Sequence, residues 1–443
     1  MRSIEKFQRQ HRELINYKVD GHLLCFPRYK DEKFGSEINV RILLLSQFYP
    51  PIAGGEERHV RNLAAALSRL GHDVTVATQW VPGTNVIEFA DNVVIRRIKG
   101  SLQRLPGLFN ENERRHAPPF PDPELVVGLW RLVDELKPHV VHAHNWLARS
   151  FLPLKPWSGA ALVVSLHDYN LICAKKNFIH NGNVCNGPHL TKCWICAGDH
   201  FGKVKGIVTA LGNFTFSCVE RRAVDKFVAV SHSVARYNRL VEFGLDYEVI
   251  PNFVPDDVAA LSSEPDPRVD QLPEHFILFV GDLMYLKGVP VLLDAYAELT
   301  RAPPLVLIGR RGPGMPDNLP PNVYQYGVWP HSAIMHAWNR CLFGVLPSTG
   351  LEACPTVVME AMASGKPVIG TNIGGIPDII VEGSTGFLVP PDDVGALRDA
   401  LGKLLADRDM LTRMGQASLE HIAHFKAGSV VPQIERVYQA CLV

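Results

Sequence analysis

Short apolar runs, each too brief to be a helix, recur along most of this chain with helix-spaced segments between them, and that alternation leaves few folds open. The first is Arg41-Ile42-Leu43-Leu44-Leu45-Ser46, which runs into a Pro-Pro and Gly-Gly loop and therefore reads as a buried strand. Val60, Leu63, Ala64, Leu67 and Leu70 follow at three- and four-residue spacing until Gly71 stops them, which predicts a helix with one apolar face. Val74-Thr75-Val76-Ala77 is strand-like again. The same alternation continues through 93–95, a helix near 123–137, 140–142, 162–166, a helix near 203–222, and 227–230. Strands this uniformly apolar are covered on both faces, as in parallel sheets built by crossover helices.

The pattern lapses between Pro251 and Pro273, where Pro, Asp and Ser dominate, and restarts at 277–281, 305–309, 343–346 and 367–370. The expected class is therefore α/β, with two doubly wound parallel-sheet αβα domains. The boundaries read as a polar extension at 1–39, an N-terminal acceptor-side domain at 40–253 with a Cys-containing insertion at 168–200, and a linker at 254–272. A C-terminal domain at 273–425 follows, then a last helix at 426–443 able to cross back to the first domain. The extension carries only a weak amphipathic pattern at Ile4, Phe7, Leu14 and Ile15. A length of 443 residues suits two such cores.

Charge gives no reason to expect nucleic acid as a partner. Lys+Arg and Asp+Glu are equal at 45 each, so the chain has no overall cationic excess of the kind that binds nucleic acid, and only a local patch would serve. The first twenty residues have no apolar core like that of a signal peptide, and no run of about 18 apolar residues would span a bilayer. The expected location is cytoplasmic, and nine cysteines, an odd number, suit a reducing compartment.

The most informative stretch is 348–363, Ser-Thr-Gly-Leu-Glu-Ala-Cys-Pro-Thr-Val-Val-Met-Glu-Ala-Met-Ala. Pro355 is placed where a first helical residue is favoured, because its missing N–H would be unpaired there anyway. Glu360 then lies one turn inside the helix and Glu352 on the loop before it. The helix start offers free N–H groups and a positive dipole end to a phosphate, with a carboxylate on either side to take hydroxyls. Solvated carboxylates at an ordinary helix end are the plainer alternative.

This segment resembles the Glu-x7-Glu element of the family 4 glycosyltransferases, retaining enzymes of the two-domain GT-B fold. The resemblance spans about residues 41–425. It is carried further by Pro51-Ile52-Ala53-Gly54-Gly55, Val141-His142-Ala143-His144, Ser165-Leu166-His167-Asp168, Pro251-Asn252-Phe253-Val254, the stretch from Gly281 to Gly288, and Asn372-Ile373-Gly374-Gly375-Ile376-Pro377-Asp378. It implies that Glu360 holds the ribose hydroxyls of a nucleotide-sugar donor and Glu352 the sugar hydroxyls. Thr356 and Val357 would bind the diphosphate through their N–H groups, with Gly281 beside the site. His144 falls where similar enzymes line the donor sugar, and His167 and Asp168 fall on the acceptor side.

Gly54 and Gly55 lack a Cβ and let backbone approach a ligand closely, although a plain tight turn is equally compatible with them. Lys287 would aim a compact positive charge at the leaving diphosphate; an exposed lysine is the alternative. One departure from the family is Asp282, where many members carry Arg, so Arg310 or Arg311 is expected to supply the missing phosphate contact.

A nucleophilic carboxylate beneath the anomeric carbon is not evident, which favours front-face attack over double displacement. The only Asp-x-Asp is Asp407-Arg408-Asp409 in a polar helical region, so no obligatory catalytic metal is expected. Expected partners are the nucleotide-sugar donor and a saccharide, lipid-linked or small-molecule acceptor. Other GT-B chemistry, as in epimerases or phosphorylases, and a catalytically silent nucleotide-sugar binder are the competing functions.

Two features lie outside this scheme. Cys173, Cys185, Cys193 and Cys196 form a Cys-x11-Cys-x7-Cys-x2-Cys pattern that suits a structural zinc, paired disulfides or unligated thiols. Between Lys99 and Phe120, Arg104, Arg114 and Arg115 mix with Leu102, Leu105, Leu108 and Phe109. That mixture suits peripheral contact with the inner face of an anionic membrane, but Glu111 and Glu113 dilute it, and an acceptor-side loop explains it as well.

Overall fold

The structure is a computed structural model that describes residues 12–19, 22–29, 39–52, 54–104, 116–263 and 266–442. Several sequence features fall outside those residues: Ile4 and Phe7 of the extension, Ala53 of the glycine loop, and Leu105, Leu108, Phe109, Glu111, Glu113, Arg114 and Arg115 of the basic–apolar segment. The extension reads in the sequence as an appendage with a weak amphipathic pattern. Its described part is an antiparallel hairpin, Arg12–Val19 with His22–Tyr29.

The first lobe is built on an eight-stranded sheet. Its order is Tyr247–Val249, Lys226–Ala229, Ala161–Leu166, Val140–His144, Arg41–Ser46, Asp73–Gln79, Val93–Ile98 and Ile87–Ala90. Every pair is parallel except the last. The second lobe has a six-stranded, wholly parallel sheet, ordered Val323–Tyr326, Leu305–Ile308, Ile277–Val280, Phe343–Leu346, Val368–Thr371 and Gly386–Val389. The central strands are buried nearly end to end, as the continuous apolar runs predict.

Local signals set the helices between them. Asp122 accepts hydrogen bonds from the Glu124 and Leu125 N–H groups, Pro123 fills the first helical position, and the helix Pro123–Leu136 ends on Lys137 in the left-handed region. The helix Ala427–Leu442 packs on the first lobe, where Val430, Val431, Ile434, Val437 and Tyr438 join the core formed by Val40, Ile42 and Val60. Tyr438 reaches the His142 Nδ1 at 2.7 Å, and Glu435 reaches His72 Nε2 at 2.7 Å. The segment before the second lobe is not featureless: it makes two 3-10 turns, Val258–Ser263 and Pro267–Gln271, and Arg340 donates to the Val269 carbonyl at 2.6 Å.

In each sheet the chain reverses direction across the sheet at one crevice, between Arg41–Ser46 and Val140–His144 in the first lobe and between Ile277–Val280 and Phe343–Leu346 in the second. Ligands of open α/β sheets bind at such switch points, outside the carboxyl ends of the strands. The loops there carry the residues singled out in the sequence.

Candidate active site

On the first lobe, Gly54 is extended (φ −176°) and the helix Gly55–Arg69 begins without a side-chain cap, with Glu56 and Glu57 in the first turn beside its positive dipole end. A Cβ on Gly55 would meet no protein atom within 4 Å, so the space in front of this turn is open.

Beneath it lie four histidines. His142 is fixed in the core by Tyr438 and by Ser165 Oγ at 2.8 Å from its Nε2. His144 is fully buried, and its Nδ1 shares a hydrogen bond of 2.9 Å with His167 Nε2. Its Nε2 has no hydrogen-bond partner, an orphaned buried nitrogen of the kind a ligand hydroxyl satisfies. The His59 ring lies 5.0 Å from that of His167 and 6.0 Å from that of His144. Burial keeps all four neutral, with neighbouring imidazoles reinforcing it for His59, His142 and His144. His142 is pulled down to about 3, His167 to about 4, and His59 and His144 fall well below the ordinary value. His59, His144 and His167 each bring one nitrogen within 4.8 Å of the others, the only such set of metal-ligating side chains among the described residues.

The carboxyls on this side are also shifted toward neutrality. Burial pushes Glu56 up to about 8, with Glu57 and Asp168 adding to it, and Asn145 Nδ2 donates to its Oε1. Burial raises Asp168 as well, against the pull of Lys176 at 3.9 Å and the Asn170 N–H at 2.8 Å.

On the second lobe the helix is Thr356–Ala363, one residue later than the sequence suggested. Pro355 (φ −75°, ψ 105°) stands just before the helix in extended backbone, and its carbonyl accepts from Val358 N–H at 3.2 Å. The two amides ahead of that bond, those of Thr356 and Val357, have no acceptor among the described residues. Glu352 lies on the loop before the helix, where its Oε1 receives both Lys287 Nζ and Ser348 Oγ at 2.7 Å. Glu360 lies one turn inside, and its Oε1 receives Arg58 Nη1 at 2.7 Å and His331 Nε2 at 2.9 Å. Burial alone would raise the Glu360 carboxyl, but the His331 hydrogen bond and the Arg58 guanidinium outweigh it and hold the group below the usual carboxylate range. Each carboxylate is thus anchored through one oxygen. The loop 372–378 lies directly on Glu352: Gly375 N–H donates to the Glu352 carbonyl at 2.7 Å, and a Cβ on Gly374 (φ +63°) would stand 2.2 Å from that oxygen.

Arg310 is paired with Asp282 at 3.3 Å, the residue for which it was expected to compensate. Arg311 instead ties down its own loop through the Pro316 carbonyl at 2.7 Å and Gln325 at 3.1 Å. Gly281, with φ +153°, ends the strand beside them; Gly309 packs so closely there that a Cβ on it would sit 1.8 Å from the Gly281 carbonyl oxygen.

The lobes meet across this site. Besides Arg58 with Glu360, Tyr169 OH donates to the Glu352 carbonyl at 3.4 Å and Asn252 Nδ2 to the Cys354 carbonyl at 3.1 Å. The His232 N–H donates to Asp378 at 2.7 Å. Of the residues singled out in the sequence, Glu352, Glu360 and Lys287 come together around this turn; Arg58, His331 and Ser348, which contact them, and Glu56 on the facing lobe were not singled out.

Known proteins with this arrangement can now be set beside it. A family model described as Glycosyltransferase Family 4 matches residues 53–258, and one described as Glycosyl transferases group 1 matches residues 264–421. Among relatives, glycogen synthase of Mycobacterium tuberculosis (strain ATCC 25618 / H37Rv) is 27% identical over 425 residues, covering 90% of this chain and 95% of its own. D-inositol 3-phosphate glycosyltransferase of Nocardia farcinica is 27% identical over 443 residues, covering 91% and 90%. Among solved structures, sucrose-phosphate synthase from Thermosynechococcus elongatus superimposes with a TM-score of 0.68 at 21% identity over 91% of this chain and 99% of that one. The catalytic domain of starch synthase IV from Arabidopsis thaliana, bound to ADP and acarbose, gives 0.64 at 16% identity over 91% and 100%. Two doubly wound lobes closing on one cleft, with paired acidic residues at a helix start, make this a glycosyltransferase of the GT-B class. Within that class the chain belongs to glycosyltransferase family 4.

Proposed function

We propose that this enzyme moves a hexosyl-type sugar from a nucleoside diphosphate sugar to a saccharide, lipid-linked or small-molecule acceptor with retention of anomeric configuration and without a catalytic metal. The observation that carries it is the turn opening the helix Thr356–Ala363: among the described residues, two amides without an acceptor lie between two carboxylates that each keep one oxygen without a hydrogen bond. The diphosphate sits on the amides and the dipole end, ribose hydroxyls on Glu360, and sugar hydroxyls on Glu352. Lys287, 2.7 Å from Glu352, stands between sugar and phosphate and stabilises the charge that grows on the leaving group.

Front-face attack is the reading carried forward from the sequence, in which no carboxylate stands out as a nucleophile. Burial raises Glu56 and Asp168, and Glu352 and Glu360 each give one oxygen to a cation. The leaving phosphate takes the acceptor proton. The orphaned His144 Nε2 accepts from or donates to the donor sugar, with His167 fixing its ring. His144 Nδ1 and His167 Nε2 are engaged with each other, and this reading gives the imidazoles to the donor sugar and not to a metal. A screen of nucleotide sugars, with product stereochemistry read by NMR, tests this. Products of inverted configuration, covalent sugar on Asp168 or Glu352, or full loss of activity in chelator restored by manganese would each overturn part of it. Nucleoside diphosphate released with no acceptor present would favour the epimerase or phosphorylase chemistry instead.

Peripheral contact with an anionic membrane is part of this reading; the segment expected to make it, between Lys99 and Phe120, lies mostly outside the described residues, and a second, exposed surface adds to it. On the helix Lys203–Ala223, Val204, Ile207, Val208, Leu211 and Phe214 follow helical spacing and are exposed, Val204 at 78% and Phe214 at 62%. Lys203, Lys205, Arg221 and Arg222 flank the stripe, while the nearby Glu220 is buried on Arg149. No described helix is long and apolar enough to cross a bilayer. Cosedimentation with phosphatidylglycerol vesicles, lost in Val204→Ser/Phe214→Ser, is expected; equal binding by wild type and variant would remove this surface.

A further inference from the structure

The insertion after Asp168 contains Cys173, Cys185, Cys193 and Cys196 on three separate pieces of chain. Cys173 lies in the turn after Tyr169, Cys185 follows the short hairpin Ile179–His180 and Asn183–Val184, and Cys193 and Cys196 are one turn apart on the helix Leu190–Phe201. All four line one small cavity, and none is in a disulfide. The Cys193 sulfur accepts from His189 N–H at 3.4 Å.

Charge and packing add two independent reasons for a metal. Lys175 and Lys192 line the cavity and no acidic side chain does; Lys192 Nζ is 3.3 Å from Cys185 Sγ. Zn²⁺ with four thiolates has two net negative charges, which these two ammoniums balance. The helix Leu190–Phe201, 12 residues long, buries only Ala197, and its core is the small group Ala174, Ala197 and Ala210 with Trp194 and Phe201 against it. Hydrophobic burial that sparse does not hold a helix in place, and small units without a core rely on a crosslink or a metal.

We propose that Cys173, Cys185, Cys193 and Cys196 bind a structural Zn²⁺ as a tetrahedral four-thiolate site that staples this insertion. No three of the sulfurs yet lie within 4.8 Å of one another, so the site closes by side-chain rotation as the metal enters, each S–H giving its proton to solvent as a Zn–S bond of about 2.3 Å forms. The site sits beside the acceptor half of the cleft and takes no part in the chemistry, so it stands or falls separately from the transferase reading.

The test is metal content of the full chain purified without chelator, with the wild-type protein also loaded with Co²⁺. One zinc per chain is expected, together with a thiolate-to-cobalt charge-transfer band and four thiols that resist alkylation until a chelator is added. Cys193→Ser/Cys196→Ser should lose the zinc. Metal-free protein whose four thiols alkylate freely, a mass showing disulfides among them, or zinc retained by the double variant would overturn the site. The last result would place the metal on His59, His144 and His167, and a cobalt spectrum without the thiolate band would say the same should the variant fail to fold.

Discussion

Arg58 on the first lobe and Glu360 on the second are joined at 2.7 Å, with the carboxylate almost completely buried and the guanidinium partly exposed. The residue assigned to the donor ribose is therefore also a latch between the lobes. Because Glu360 is held below its ordinary pKa, its contribution to stability is present above the usual carboxylate value and is lost as pH falls through the lowered one. Arg58→Ala removes one of the groups that lowers it. The acid limb of donor binding should move to higher pH and kcat/KM should fall about tenfold or more, the size of about 1.4 kcal/mol. A pH–rate profile superimposable on wild type would show that the latch is incidental.

Glu56 behaves in the opposite sense. Its folded pKa is raised to about 8, so the native state binds more protons than the unfolded chain between about 4.5 and 8. Stability contributed by the protonated form is complete below that window and is lost as pH rises through it. Glu56→Gln keeps the hydrogen bond from Asn145 and removes the titration, so its Tm should fall less than that of wild type from pH 5 to pH 8. Parallel Tm curves would contradict the assignment.

Lys287 should act on the transition state more than on binding. Removing one donor aimed at a developing negative charge costs on the order of 10²–10³ in rate. Lys287→Ala should lower kcat by about that factor with a smaller change in donor KM, while a purely raised KM would reduce Lys287 to a ground-state contact.

The sheets were legible because continuous apolar strands and helix-spaced stripes are local in sequence: the strand Arg41–Ser46 and the helix Pro123–Leu136 could be placed almost to the residue. Glu352, Glu360 and Lys287 were legible because they lie in motif segments punctuated by Gly and Pro, Glu352 on a loop, Lys287 at the end of a 3-10 turn and Glu360 in the first turns of a helix. Arg58 and His331 were not, since each looks like an ordinary polar residue of a helix start, and only folding brings Arg58 to a carboxylate 302 positions away. His144 carried the right signal, but nothing local showed that it would be buried among three other imidazoles. The hairpin at Arg12–Val19 and His22–Tyr29 was missed because its apolar residues, such as Leu14-Ile15 and Leu23-Leu24, fall in adjacent pairs and do not alternate with polar ones.

Buried charge in the first lobe gives a stability prediction independent of catalysis. Arg149 and Glu220 pair at 3.0 Å, both almost without exposure, and Arg149 also donates to the Pro119 carbonyl at 2.8 Å. Glu220→Ala leaves an unpaired buried guanidinium and should cost about 3–5 kcal/mol, read by denaturant unfolding. A cost under about 1 kcal/mol would mean that the pair is reached by water.

The grip of the Thr356 turn on a nucleoside diphosphate is tested most directly by calorimetric titration of UDP, GDP and ADP into wild type and Glu360→Ala, with unfolding curves confirming that the variant is folded. Wild type should bind at least one of the three, and the variant should bind it at least about tenfold more weakly, the loss of one charge-assisted ribose contact. Equal affinity in the two proteins, or no binding of any of the three by wild type, would contradict the donor site described for this enzyme.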